Sequence, residues 1–209
     1  TFEHSFKNSE ETSTSFRIAL PRGSYLTKAF ARTLNAVTED HPIQVTFNET
    51  NNEEVIQCVS AQGYDVGIIR LPIELEGNYK KLLAEKQLKF QEIMVFRFVV
   101  AMHKDHPLAN QEYVHFSDLV NYTALVHGDN HFLTFSDSET DKLYRTHLYK
   151  NSISIFERGS QFDFLRDIPG TFMLISPLPQ ELLNAYDLVQ VKLPDSEIGL
   201  FEDLMITRK

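Results

Sequence analysis

Three short apolar runs near the start of the chain, separated by stretches with helical spacing, constrain the fold more than any other feature. Residues 16–20 (FRIAL) read as a strand. Pro21-Arg22-Gly23 turns the chain, and Ser24 stands at an N-cap position ahead of Leu26, Phe30, Leu34 and Val37, which recur with helical period. The unit then repeats. After His41-Pro42, residues 43–47 (IQVTF) form a second strand, and Thr50-Asn51-Asn52-Glu53 is a capping-box sequence opening a helix that carries Val55, Ile56, Cys58 and Val59. Residues 64–71 (YDVGIIRL) supply a third strand after Gly63. Strands alternating with helices of about ten to fifteen residues pair in parallel through right-handed crossovers, so this half of the chain is α/β.

The longest apolar run, residues 93–102 (IMVFRFVVAM), is rich in β-branched and aromatic side chains and stops before Pro107, which makes it one long strand rather than a helix. Strand and helix signals recur at 117–121, 123–126, 138–149, 153–156, 161–166 and 171–175, indicating a second α/β layer. Residues 188–193 and 200–207 close the chain as strands, and no internal sequence repeat stands out. Residues 1–15 (TFEHSFKNSEETSTS) are polar and read as a linker remnant. Because the first residue is Thr1, the chain is expected to be a fragment or a processed product, lacking either a leader peptide or a whole domain.

Composition removes several function classes. Twenty Lys and Arg against 29 Asp and Glu leave a formal charge of -9, so the surface repels a phosphate backbone and this chain alone should not grip nucleic acid. The single cysteine, Cys58, excludes a disulfide framework and fits a reducing cytosol, where a buried, inert thiol is the expected state. No apolar run approaches the roughly 20 residues of a membrane span, and no signal sequence opens the chain. A nucleophile elbow, a phosphate-binding glycine loop and a metal-ligand framework are all missing, so neither an enzyme nor a cofactor or metal protein is expected.

These residues resemble the effector-binding domain of LysR-type transcriptional regulators. The resemblance rests on FRIAL opening the domain, on His41-Pro42 before IQVTF and Glu49, and on Tyr64-Asp65-Val66-Gly67-Ile68-Ile69. It rests most on 99–109 (VVAMHKDHPLA), where a strand ends in His106-Pro107-Leu108-Ala109, followed by Phe116-Ser117-Asp118-Leu119. Later agreement is partial, since the family's glycine-rich stretch ending in Leu-Pro survives only as 169–179 (PGTFMLISPLP). The resemblance implies a periplasmic-binding-protein-like fold of type 2: two α/β subdomains joined by two crossover strands, with a small ligand in the cleft between them. On this reading residues 16–96 and 194–209 form one subdomain and 97–193 the other, with 93–102 and 189–194 as crossovers. It further implies a cytoplasmic homodimer or homotetramer, with 26–37 as an interface helix unless its apolar face is spent on the core, and DNA contact only through a winged helix-turn-helix outside this chain. A solute-binding protein of a transporter shares the fold and remains the rival reading.

In open α/β sheets, ligands sit beyond the carboxyl ends of strands, where helix N-termini offer unpaired N–H groups. Three loops of the first half qualify. Ser24 either donates its hydroxyl to a ligand or simply caps its helix; Thr50 and Asn51 hold the equivalent place after the second strand. Arg70 ends the third strand, where it pairs with an anionic ligand or with a carboxylate of the chain. From the second half the candidates are His127 and Phe132, after the strand 123–126, and Ser160 in front of the 161–166 helix. The polar loop at 127–131 (HGDNH) lacks the spacing of a metal site and reads as exposed. Arg22, Arg70 and the helix N-termini together favour an anionic effector such as a carboxylate.

Overall fold

The computed structural model describes residues 14–37, 43–128 and 149–209. The first strand, β1 (Thr14–Leu20), is buried on both faces. Phe16, Ile18 and Leu20 pack into one apolar cluster with Leu26 and Phe30 of α1 (Ser24–Val37), while Ala19 points into a second cluster built on α2 (Asn52–Ala61). That period-two division marks a central parallel strand covered on both sides. Leu26 and Phe30, with the half-buried Leu34, are therefore part of the core.

β1 pairs in parallel with β2 (Ile43–Glu49) on one side and with β3 (Val66–Pro72) on the other. Gly67 of β3 explains how tightly α2 sits on the sheet. A Cβ there would lie 2.7 Å from Val59, 2.8 Å from Val55 and 2.9 Å from Ile206, so only a glycine admits this approach. β3 runs into a short 3-10 turn and α3 (Glu76–Glu85), a helix the sequence reading did not anticipate.

The expected single strand over 93–102 is two strands. β4 (Leu88–Phe96) belongs to the first sheet and β5 (Val99–His103) to the second, with Arg97 and Phe98 joining them. After β5 the chain turns at His106, whose N–H bonds the His103 carbonyl at 2.9 Å and whose Nδ1 accepts from the Leu108 N–H at 3.1 Å. There follow α4 (Phe116–Leu119), β6 (Thr123–His127), β7 (Asn151–Ile155), α5 (Gly159–Asp167), β8 (Thr171–Ile175), α6 (Gln180–Ala185), β9 (Leu188–Lys192) and β10 (Phe201–Arg208). The helical signal at 138–149 lies almost wholly outside the described residues.

The strand order of the first sheet is β2-β1-β3-β10-β4 and that of the second β7-β6-β8-β5-β9. Both follow one plan: three parallel strands in the order second-first-third, then one antiparallel strand, then the fourth. The antiparallel strand is borrowed each time, since β5 follows directly on β4 of the first sheet and β10 follows β9 of the second. A duplicated topology thus exists without a repeat in sequence. Where the two connections cross, Phe98 packs edge-on against Phe201 at 4.5 Å between ring centroids and against Phe96 at 5.5 Å.

Candidate functional site

The carboxyl ends of β1, β2, β3, β6 and β8 converge on one cavity. Its walls include Pro21 and Arg22 after β1, Thr50, Asn51 and Asn52 after β2, Arg70 in β3, His127 at the end of β6, and Ser176 just after β8. Its volume is about 50 Å³, room for a few water molecules and far below the roughly 300–1,000 Å³ of ligand pockets. As it stands the cavity is too small for a ligand of that size.

Its first-sheet wall is rigidly built. Asn51 caps α2, its side chain accepting the Glu54 N–H at 3.0 Å, so the cap falls one residue later than a box starting at Thr50 would place it. Asn52, buried at the first position of the helix, accepts the Arg70 N–H at 2.9 Å and donates to the Arg70 carbonyl, tying α2 to the end of β3. Arg70 is 7% exposed, and its guanidinium makes two parallel bonds of 2.8 Å to Asp203 of β10, which is fully buried. It also lies over the Phe96 ring at 4.8 Å and donates to the Arg22 carbonyl at 3.3 Å. The Tyr25 hydroxyl donates to the same Asp203; burial first, and then that carboxylate, push its ionisation far above the usual tyrosine range.

Among the described residues, Arg158, Arg22 and Lys28 reach from one sheet's side of the cleft to the other. Arg158, immediately before α5, donates to Glu49 Oε1 at 2.9 Å, to Thr27 Oγ1 at 2.6 Å and to Ser24 Oγ at 3.1 Å. Arg22 donates to the Phe156 carbonyl at 2.8 Å, and Lys28 pairs with Glu181 at the surface. Ser24 is the first residue of α1 rather than its cap.

Of the residues singled out from sequence, Thr50, Asn51, Arg70 and His127 line one cavity. Ser24 does not line it; its hydroxyl accepts from Arg158. Ser160 does not line it; its hydroxyl and N–H are turned to Glu157. Phe132 lies outside the described residues. Sequence reasoning missed Arg158, Glu49, Asn52 and Ser176. Ser176 was findable by the rule that selected the others, because it follows the carboxyl end of a strand. It is fully buried, and its hydroxyl has no hydrogen-bond partner among the described residues. Arg158 carried no local signal, its partners being 109 to 134 positions away. No group of three His, Cys, Asp or Glu able to hold a metal occurs among the described residues, nor does a helix long and apolar enough to cross a membrane.

The LysR substrate binding domain family matches residues 9–152, more than half of the chain. Among solved structures, the effector binding domain of BenM with its effector benzoate superposes with a TM-score of 0.62 at 20% identity, covering 96% of this chain and 85% of that one. The oxidised form of OxyR gives a TM-score of 0.60 at 18% identity over 96% and 89% of the two chains. The reduced form of the regulatory domain of OxyR2 from Vibrio vulnificus gives 0.62 at 12% identity over 96% and 89%. At these identities the likeness concerns the fold, which is periplasmic-binding-protein-like, type 2. A comparison with curated protein sequences returned no match.

Proposed function

Because this chain belongs to the LysR substrate binding domain family, we propose that it senses a small anionic effector in the cleft between its two sheets and passes that state to a DNA-binding winged helix-turn-helix of the same polypeptide. The subdomains on this reading are residues 16–96 with 194–209, and 97–193. It is a binding domain of a cytoplasmic, homo-oligomeric regulator, not an enzyme.

The observation that carries the reading is the chemistry of the cavity wall. No Asp or Glu of the described residues lines it, whereas Arg22, His127, Thr50, Asn51, Ser176 and the N-terminal turn of α2 all do. A helix N-terminus and an arginine in one wall favour a carboxylate or a comparable oxyanion. The neighbour BenM is named with benzoate as its effector. Arg70 serves this site by shaping the wall through Asp203 and the Arg22 carbonyl, rather than by offering an uncancelled charge.

Signal transfer follows from population shift. A cavity of about 50 Å³ must enlarge to admit an effector, and the ligand favours whichever arrangement it contacts better, by no more than its differential affinity. Thermal melts against small aromatic and aliphatic carboxylates test the reading. At about 100 times its dissociation constant, a true effector adds roughly 2.7 kcal/mol, a midpoint rise of roughly 5–10 °C for a chain of this size. Arg22→Gln should diminish that rise. A rise found only with uncharged or cationic compounds would overturn the anionic assignment.

A further inference from the structure

We infer that Arg158 is the residue that reads the effector's negative charge, and that Glu49 competes with the effector for it. The inference rests on the anion-binding reading above and adds a residue, and an internal rival, to it.

Arg158 sits where β7 gives way to α5, on the second-sheet side, with about a fifth of its side chain exposed. Its guanidinium is held across the cleft by acceptors of the first-sheet side: Glu49 at the end of β2, and Thr27 and Ser24 on the first turn of α1. Two features set this contact apart from a structural ion pair. First, it bridges the faces that must part for anything larger than water to enter, so the contact breaks whenever the cleft opens. Second, the residue after Glu49 is Thr50, in the cavity wall, so the guanidinium is released beside the space an effector fills. The second arginine on this boundary, Arg22, reaches the Phe156 carbonyl two residues before Arg158. Two guanidinium groups therefore reach across the cleft in opposite directions at one place.

A guanidinium with a forked donor geometry exchanges one carboxylate for another without loss of bonding pattern. Within the chain, Glu49 supplies the carboxylate through a single bond to Oε1, and the Thr27 and Ser24 hydroxyls take the remaining donors, so an anion offering two oxygens gives the fork a fuller match. An anionic effector replaces Glu49, and the fraction of molecules in which Arg158 is released from Glu49 scales the apparent affinity.

Titration of the full chain with benzoate and with sulfate, followed by calorimetry, separates the possibilities. Glu49→Gln keeps the size of the side chain but removes the rival charge, so this variant should bind at least one of the two anions about tenfold or more tightly than the parent chain. Arg158→Gln should bind about tenfold or more weakly than Glu49→Gln, the double variant should match Arg158→Gln, and Arg158→Lys should fall between. If Arg158→Gln binds both anions as tightly as Glu49→Gln, the role given to Arg158 is wrong while the anion site stands. If no variant binds either anion, both this inference and the anionic cleft fall.

Discussion

Glu202 occupies the second position of β10, between β3 and β4, with 2% of its surface exposed and its Oε1 lacking a hydrogen-bond partner among the described residues. Burial pushes its carboxyl above the ordinary glutamate range; Glu76, Glu92 and Asp203 push the same way and Lys80 opposes them. The folded state therefore holds this proton more tightly than the unfolded chain, whose glutamates titrate near about 4.3. Stability falls as pH rises from there through the raised value, above which the full cost is present. Glu202→Gln should raise the thermal midpoint at pH 7, with the gap over the parent chain closing as pH falls toward about 4. A pH-independent gap in melts spanning roughly pH 4 to 8 would show that the carboxyl is not the cause. Arg70 poses the opposite case one strand away, a buried charge matched by Asp203. From the sequence, Arg70 could be placed at a strand end but not paired, since the matching carboxylate comes 133 positions later.

At the scale of elements, Asn51 couples the site to the helix that carries it. Its side chain accepts the Glu54 N–H, and the same residue lines the cavity. Asn51→Ala should cost about 0.5–2 kcal/mol in urea unfolding, while Asn51→Asp, which keeps the cap, should retain that stability and lose anion binding through the added charge. A destabilised Asn51→Asp would mean that its amide nitrogen matters more than the cap. The elements readable from sequence were those with local punctuation: β1, α1, β2 and α2 follow from alternation, a turn and caps. α3 escaped because Gly77 and Asn78 weaken its first turn, although Tyr79 and Leu83, both fully buried, carry a helical spacing. The division of 93–102 into β4 and β5 escaped because nothing in Arg97-Phe98 breaks a strand; what separates the two is that they belong to different sheets. The candidate site was legible as a set of strand ends and illegible in its cross-cleft contacts, which depend on how distant segments meet.

For the whole molecule, the exchange of one strand between the sheets decides which pieces can exist alone. Without β10, β3 and β4 each lose their antiparallel partner, and the first sheet is left with three strands and a detached fourth. A chain ending at Pro194 should therefore be recovered from the insoluble fraction, whereas the parent chain stays in solution. Soluble expression of that shortened chain with native-like circular dichroism would show that β10 is dispensable. The order of synthesis gives the exchange a further consequence. The first sheet begins to leave the ribosome ahead of the second, but its fourth-position strand β10 is translated only after every strand of the second sheet, so while that sheet is being made β3 and β4 present open edges to their surroundings. The second sheet, whose borrowed strand β5 precedes the rest of it, has all its strands once β9 has emerged and can act as the template on which the older half finally closes.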